Sequence, residues 1–222
     1  MCQAERQYLS TRFDNAIMKK KQFQSLCHSL LPNIPGFSSK EWLLFASPID
    51  HVLKGFCGDD SGLNKEQFTV WAFMLPLYVP TDHVHFNMGF RLTQENGCEK
   101  WWNIVDPDLR DELLVCIETQ GLPYFDKVKE PKDVATAIQK LTTQFSPYDL
   151  EAVAYSQLMA REFDSAGSAL ERLISSINST IAWQARMADR AEFLLRKLNL
   201  NPQLAIQQLH EWELATLQNL GL

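Results

Sequence analysis

The chain has 222 residues, 45% of them hydrophobic and 22% charged, enough apolar material to bury a core and too much for a disordered segment. Its formal net charge of -6 repels phosphate backbones, and no basic run exceeds Lys19-Lys20-Lys21, so nucleic acid is not an expected partner. No apolar run approaches the roughly 18 residues of a membrane helix, and residues 1–7 carry no hydrophobic signal core, so we expect no membrane partner and a cytoplasmic location.

Five cysteines (Cys2, Cys27, Cys57, Cys98, Cys116) are scattered and never spaced as Cys-x-x-Cys, a usage that reads as reduced thiols. In chain order, residues 3–31 have helical apolar spacing at Leu9, Phe13, Ala16, Phe23, Leu26 and Leu30, closed by Pro32. Asn33-Ile-Pro-Gly36 is a turn. Four aromatic and β-branched runs follow, at Trp42–Ala46, His51–Cys57, Gln67–Val79 and His83–Thr93, divided by the turns Gly58-Asp-Asp-Ser-Gly62 and Pro80-Thr-Asp82. The last run alternates strictly, with Val84, Phe86, Met88, Phe90 and Leu92 on one face and His83, His85, Asn87 and Arg91 on the other. Pairing the last two runs so that Val79 meets Val84 brings Leu77, Leu75, Phe73 and Trp71 opposite Phe86, Met88, Phe90 and Leu92. A one-residue slip would set Trp71 against Arg91 and Phe73 against Gly89, mixing the faces, so the first register is expected. Pro76 cannot donate to a ladder and requires an edge, bulge or bend.

Beyond Trp101-Trp102 the pattern turns helical. Adjacent tryptophans cannot share one strand face, and we expect them to straddle the sheet edge and pack under neighbouring helices. Helices are expected at 107–120, 132–143, 147–161, 164–177, 181–198 and 202–219. Asp106-Pro107, Ser146-Pro147 and Asn201-Pro202 supply starts in which a capping side chain precedes proline in the first turn. The expected fold class is α+β: an N-terminal helix packed on a mainly antiparallel sheet of about four strands (residues 1–128), then a tail of antiparallel helical hairpins (residues 129–222), packed together as one compact unit.

Chemistry is sparse in this pattern. His83 and His85, at i and i+2 of a strand, project the same way, and His51 with Asp50 as fourth ligand would complete a metal set. On the same polar face, His85, Asn87, Arg91 and Tyr78 form a candidate ligand or partner surface, since arginine offers carboxylate a bidentate fork. Asp50-His51 with Ser47, Cys57 or Ser61 lacks any nucleophile signature, and Gly55, Gly58 and Gly62 fit no phosphate loop. No catalytic set and no cofactor are expected.

Two resemblances add to this reading. Pro35-Gly-Phe37, Trp42-Leu-Leu-Phe45, Phe68-Thr-Val70 and Phe86-Asn-Met-Gly89, within residues 30–92, resemble an uncharacterised bacterial family of helix-then-sheet domains, some members of which are immunity proteins. That resemblance implies a sheet fold and action by binding, and transfers no catalytic residue. Residues 154–174, with Tyr155, Leu158, Ala160, Phe163, Ala166, Leu170 and Leu173, resemble a single tetratricopeptide-like hairpin, which needs neighbours to bury its face. The expected function is therefore a non-catalytic, cytosolic protein-interaction or immunity-type accessory protein whose partner is another protein. The alternative is a metal-binding protein or hydrolase using His83, His85 and His51. A homodimer through the tail helices is the third expectation.

Overall fold

The computed structural model describes residues 21–60 and 66–222. Cys2, the leading part of the first expected helix with Leu9, Phe13 and Ala16, and the 61–65 portion of the acidic turn, Ser61 included, lie outside the described residues. The fold is α+β, and it comprises two compact units interleaved along the chain. The sheet unit takes residues 1–50, 54–74 and 86–125, and the helical unit takes 51–53, 75–85 and 126–222. The helical unit thus combines residues 126–222 with two short pieces drawn out of the sheet region.

In the sheet unit, α1 (residues 21–30) places Phe23, Leu26, Cys27 and Leu30 inward at helical spacing. Phe23 stacks on Trp42 at 5.6 Å and meets Phe68 edge-on at 5.7 Å. The strands are β1 (Phe37–Lys40), β2 (Leu43–Ala46), β3 (Val52–Asp60), β4 (Gln67–Pro76), β5 (Gly89–Arg91) and β6 (Trp102–Asn103). They are ordered β1-β2-β3-β4-β5, with β6 also paired to β4. β1, a strand not read from the sequence, forms a tight antiparallel hairpin with β2, Lys40 opposite Leu43. The intervening Glu41 takes a left-handed φ of 52°. β4 ends at Pro76, where the missing N–H allows no further ladder.

The run expected as a strand over His83–Thr93 is a strand only at Gly89–Arg91. Its register is the slipped one: Trp71 faces Arg91, Ala72 faces Phe90 and Phe73 faces Gly89. The reason is chemical. Arg91 lays its guanidinium over the Trp71 ring at 5.0 Å, so an arginine opposite a tryptophan is a favourable pair and no mixing of faces results. A Cβ on residue 89 would come within 2.9 Å of the Ala72 carbonyl oxygen, so the close approach at that position requires glycine. Phe86 lies outside the ladder and stacks flat on Trp71, ring centres 4.8 Å apart. The tryptophan pair divides, and the expected packing under helices does not hold for Trp101. Trp102 is buried in β6 and stacks on Phe68, whereas Trp101 is 41% exposed.

The sheet unit closes with α2 (Leu109–Cys116), a π turn (Ile117–Gly121) and α3 (Leu122–Phe125), in place of one helix over 107–120. The Gln120 side chain holds the Thr93 backbone from both sides, accepting its N–H at 2.9 Å and donating to its carbonyl at 2.8 Å.

The helical unit contains α4 (Pro131–Leu141), α5 (Pro147–Met159), α6 (Phe163–Ser176), α7 (Ala182–Leu200) and α8 (Pro202–Leu220). Proline starts three of them behind polar residues. Ser146 accepts from Asp149 N–H while the Asp149 carboxylate accepts from Ser146 N–H, a reciprocal capping box, and Asn201 accepts from Gln203 N–H. Each helix packs on the next, and α8 returns to α5. The core contains Leu150, Ala154, Leu158, Leu170, Leu194 and Leu209, all buried, together with Tyr78 from the 75–85 piece. The hairpin residues Tyr155, Leu158, Ala166, Leu170 and Leu173 are all buried, and α7 and α8 supply the cover that a single hairpin lacks.

Candidate metal centre

Three donors converge in the helical unit: His51, His210 and Glu213. His51 lies at the entry to β3, and its carbonyl accepts the Leu77 N–H at 2.9 Å, which fixes the backbone from which the imidazole projects. His210 and Glu213 stand three residues apart on α8, the spacing that places two side chains on one helix face. The buried positions of α8 include Ala205, Ile206, Leu209 and Thr216. Glu213 follows Ile206 by seven residues and Leu209 by four, in phase with that inward stripe, so a carboxylate occupies a place the helix period assigns to an apolar residue. Its side chain is accordingly only 12% exposed, against 34% for His51 and 49% for His210.

The geometry is tight. His51 Nδ1 lies 3.1 and 3.0 Å from the two Glu213 carboxylate oxygens, and His210 Nδ1 lies 3.3 Å from Oε2. The imidazole rings are 5.6 Å apart, inclined at 43°. An ionised carboxylate only accepts, so in this arrangement both imidazoles donate from Nδ1. One donor atom from each residue falls within 4.8 Å of the other two. Zinc ligands at about 2.0–2.2 Å on a tetrahedral shell are roughly 3.4 Å from one another. The observed N···O separations lie within a few tenths of an ångström of that value, and the two imidazole donors lie within 4.8 Å of each other. Two imidazoles and a carboxylate suit zinc and its first-row neighbours, and three protein donors leave coordination positions for solvent.

The negative charge of Glu213 is also felt beneath the cluster. Tyr78 is fully buried, and its hydroxyl pairs with Ser156 Oγ at 2.7 Å. Burial pushes the phenol well above its ordinary value, the Ser156 hydrogen bond works against that shift, and the Glu213 charge adds to it. Tyr78 is thus a neutral core residue at physiological pH.

The residues singled out from the sequence have separate fates. Of the expected set His83, His85, His51 and Asp50, only His51 belongs to the three-donor group found among the described residues. His83 pairs instead with the neighbouring Asp82, Nδ1 to Oδ1 at 2.6 Å, and both are exposed. The His83 and His85 rings are 6.4 Å apart and edge-on. His85 is partly buried, and burial, followed by the nearby His83, lowers its pKa; its Nδ1 is enclosed without a hydrogen-bond partner. Asp50 is exposed. The i, i+2 argument fails for a physical reason, since residues 83–86 are not in a strand and alternation does not govern their directions.

The face expected to present His85, Asn87, Arg91 and Tyr78 is likewise divided. Tyr78 is a core residue of the helical unit, and Asn87 is exposed in the sheet unit. Both arms of the Arg91 fork are engaged, Nη1 with Glu99 at 2.9 Å and Nη2 with Asp59 at 3.1 Å. Cys27, Cys57, Cys98 and Cys116 are free thiols, and burial pushes Cys27 and Cys57 up to about 12, far from nucleophilic use.

In comparisons with known proteins, no family model, no curated protein and no solved structure matches this chain. No helix among the described residues is long and apolar enough to cross a membrane. The site is therefore carried by its own geometry. His210 and Glu213 had gone unread in the sequence. The signal available was Glu213 itself, an acid in phase with Ile206, Leu209 and Thr216, with a histidine three residues before it.

Proposed function

We propose that this protein binds a divalent transition-metal ion of the zinc class, held by His51, His210 and Glu213. The observation that supports this is the convergence of three donor atoms from two distant parts of the chain around one carboxylate. His51 and Glu213 are 162 residues apart in sequence, so local periodicity alone does not bring them together. Calorimetric titration of chelator-treated protein with Zn²⁺ is expected to give one site per chain. His210→Ala and Glu213→Gln should each weaken binding by 10-fold or more, and His83→Ala should leave it unchanged. Equal binding by all four proteins would remove the site.

A second reading, that the chain works by docking another protein, is favoured by an open groove of about 440 Å³ in the helical unit. Phe145, Leu150, Val153 and Ala169 give it apolar surface, and Gln157, Asp164 and Arg172 give it polar points. Arg172 lies over the Phe145 ring at 4.9 Å. In this reading Ser168→Trp, which fills the groove, lowers affinity for a purified partner while zinc binding persists. A partner that binds both proteins equally docks elsewhere.

A further inference from the structure

Resting on the metal reading, we propose that the centre is a metal-operated latch on α8: a bound ion fastens this helix to the His51–Leu53 and Leu75–His85 pieces of the helical unit, and its release lets α8 lift away. Three observations point to α8 as the moving element. The first is the distribution of donors. Two ligands stand on one face of α8 and the third stands on His51, whose carbonyl in turn holds Leu77 through its N–H at 2.9 Å. An ion at this position therefore ties α8 to both short pieces at once.

The second observation concerns how α8 is held otherwise. Its inward face carries Ala205, Ile206 and Leu209, but also Thr216, which is 1% exposed and whose hydroxyl has no hydrogen-bond partner. A buried hydroxyl left unpaired is destabilising, and that cost falls on the docked position of this helix. α5 also carries an unpartnered buried oxygen, Gln157 Oε1, but it is in addition anchored to α7 by the buried Glu151 carboxylate paired with Arg190 at 2.7 Å. The third is the bond from Asn219 Nδ2 on α8 to the Thr81 carbonyl, which is long at 3.4 Å and exposed. The Glu213–His51 contact, at 3.0 Å and partly buried, joins α8 to the same pieces more closely, and it is the part a metal would reinforce.

Lifting α8 would uncover the Ala205, Ile206 and Leu209 stripe with its opposing core residues, so metal occupancy would control access to an apolar surface. Opening that separates the ligands is suppressed by mass action. At 100 times Kd, free metal lowers the population of the open form about 100-fold.

Hydrogen exchange of the full chain, with and without saturating Zn²⁺, tests this beside a calorimetric titration of the same sample. The expected result is slowing, approaching 100-fold, in the amides of 205–216 and 75–79, with little change in those of α5 and α6. Asn219→Ala should speed exchange of α8 in the metal-free protein and leave zinc affinity within two-fold. Absence of zinc binding defeats the metal reading itself. Stoichiometric binding with unchanged exchange, or with uniform slowing across the helical unit, leaves that reading standing and overturns the latch.

Discussion

Glu151 lies inside the helical unit with 2% of its side chain exposed, and Arg190 reaches it with two donors, Nε at 3.1 Å and Nη2 at 2.7 Å. Burial pushes the carboxyl upward and the guanidinium opposes that push, so the charge on Glu151 is tolerable only while its partner is present. Arg190→Met should cost about 3 kcal/mol, because it strands a buried charge. The double variant Glu151→Met with Arg190→Met should recover to within about 1 kcal/mol of the parent, because well-packed apolar groups can replace a buried pair. Urea midpoints of the three proteins check this, and a double variant as unstable as the single would contradict it. At the same scale, Arg91 shows why residue chemistry was partly illegible. As a charge it belongs on a polar face, but its flat, weakly hydrated fork also stacks, 5.0 Å from Trp71 and 5.9 Å from Trp101. Polarity alone gave it the wrong neighbour.

The helices were the most readable elements because their signals are local. Ser146-Pro147 and Asn201-Pro202 announce starts within four residues, and stripes such as Ala166, Leu170 and Leu173 repeat within one element. Glu130-Pro131, a weaker signal, also starts a helix, because the Asp133 carboxylate accepts the N–H groups of Lys129 and Glu130 at 2.8 and 3.1 Å. The strands were readable as runs and poorly readable as pairs. Pairing depends on contacts the alternation does not encode, such as the room left by Gly89 beside Ala72. Gly55 makes the same point on the other side of the sheet. It faces Phe45 across the β2–β3 ladder, and a Cβ there would stand 2.7 Å from the Leu44 carbonyl oxygen, a backbone atom that cannot swing aside. Gly55→Ala should therefore destabilise the fold by about 1–3 kcal/mol. A thermal-unfolding midpoint equal to that of the parent would show that β2 shifts freely. The donor cluster was the least legible element, since only His51 stood out and its partners lie on a helix 159 or more residues further on.

For the whole molecule, the interleaving of the two units sets what can be cut apart. Residues 126–222 hold all five tail helices, but the core of that unit also includes Tyr78, which is fully buried and hydrogen-bonded to Ser156. Expressed alone, 126–222 should retain helical circular dichroism and lose a cooperative thermal transition, whereas the full chain keeps one. A sharp transition in the fragment would mean that the 75–85 piece is dispensable.

The same interleaving orders events during synthesis. His51 and Tyr78 emerge from the ribosome early, at a rate of about 5–20 residues per second, while Glu213 is translated well over a hundred residues later. Until α8 is made, Tyr78 lacks part of its cover and His51 lacks its carboxylate. The donor cluster therefore cannot close on a chain that stops short of α8. Capture of metal would then mark a chain translated through α8, and one that stops short of it would leave Tyr78 accessible to chaperones and proteases.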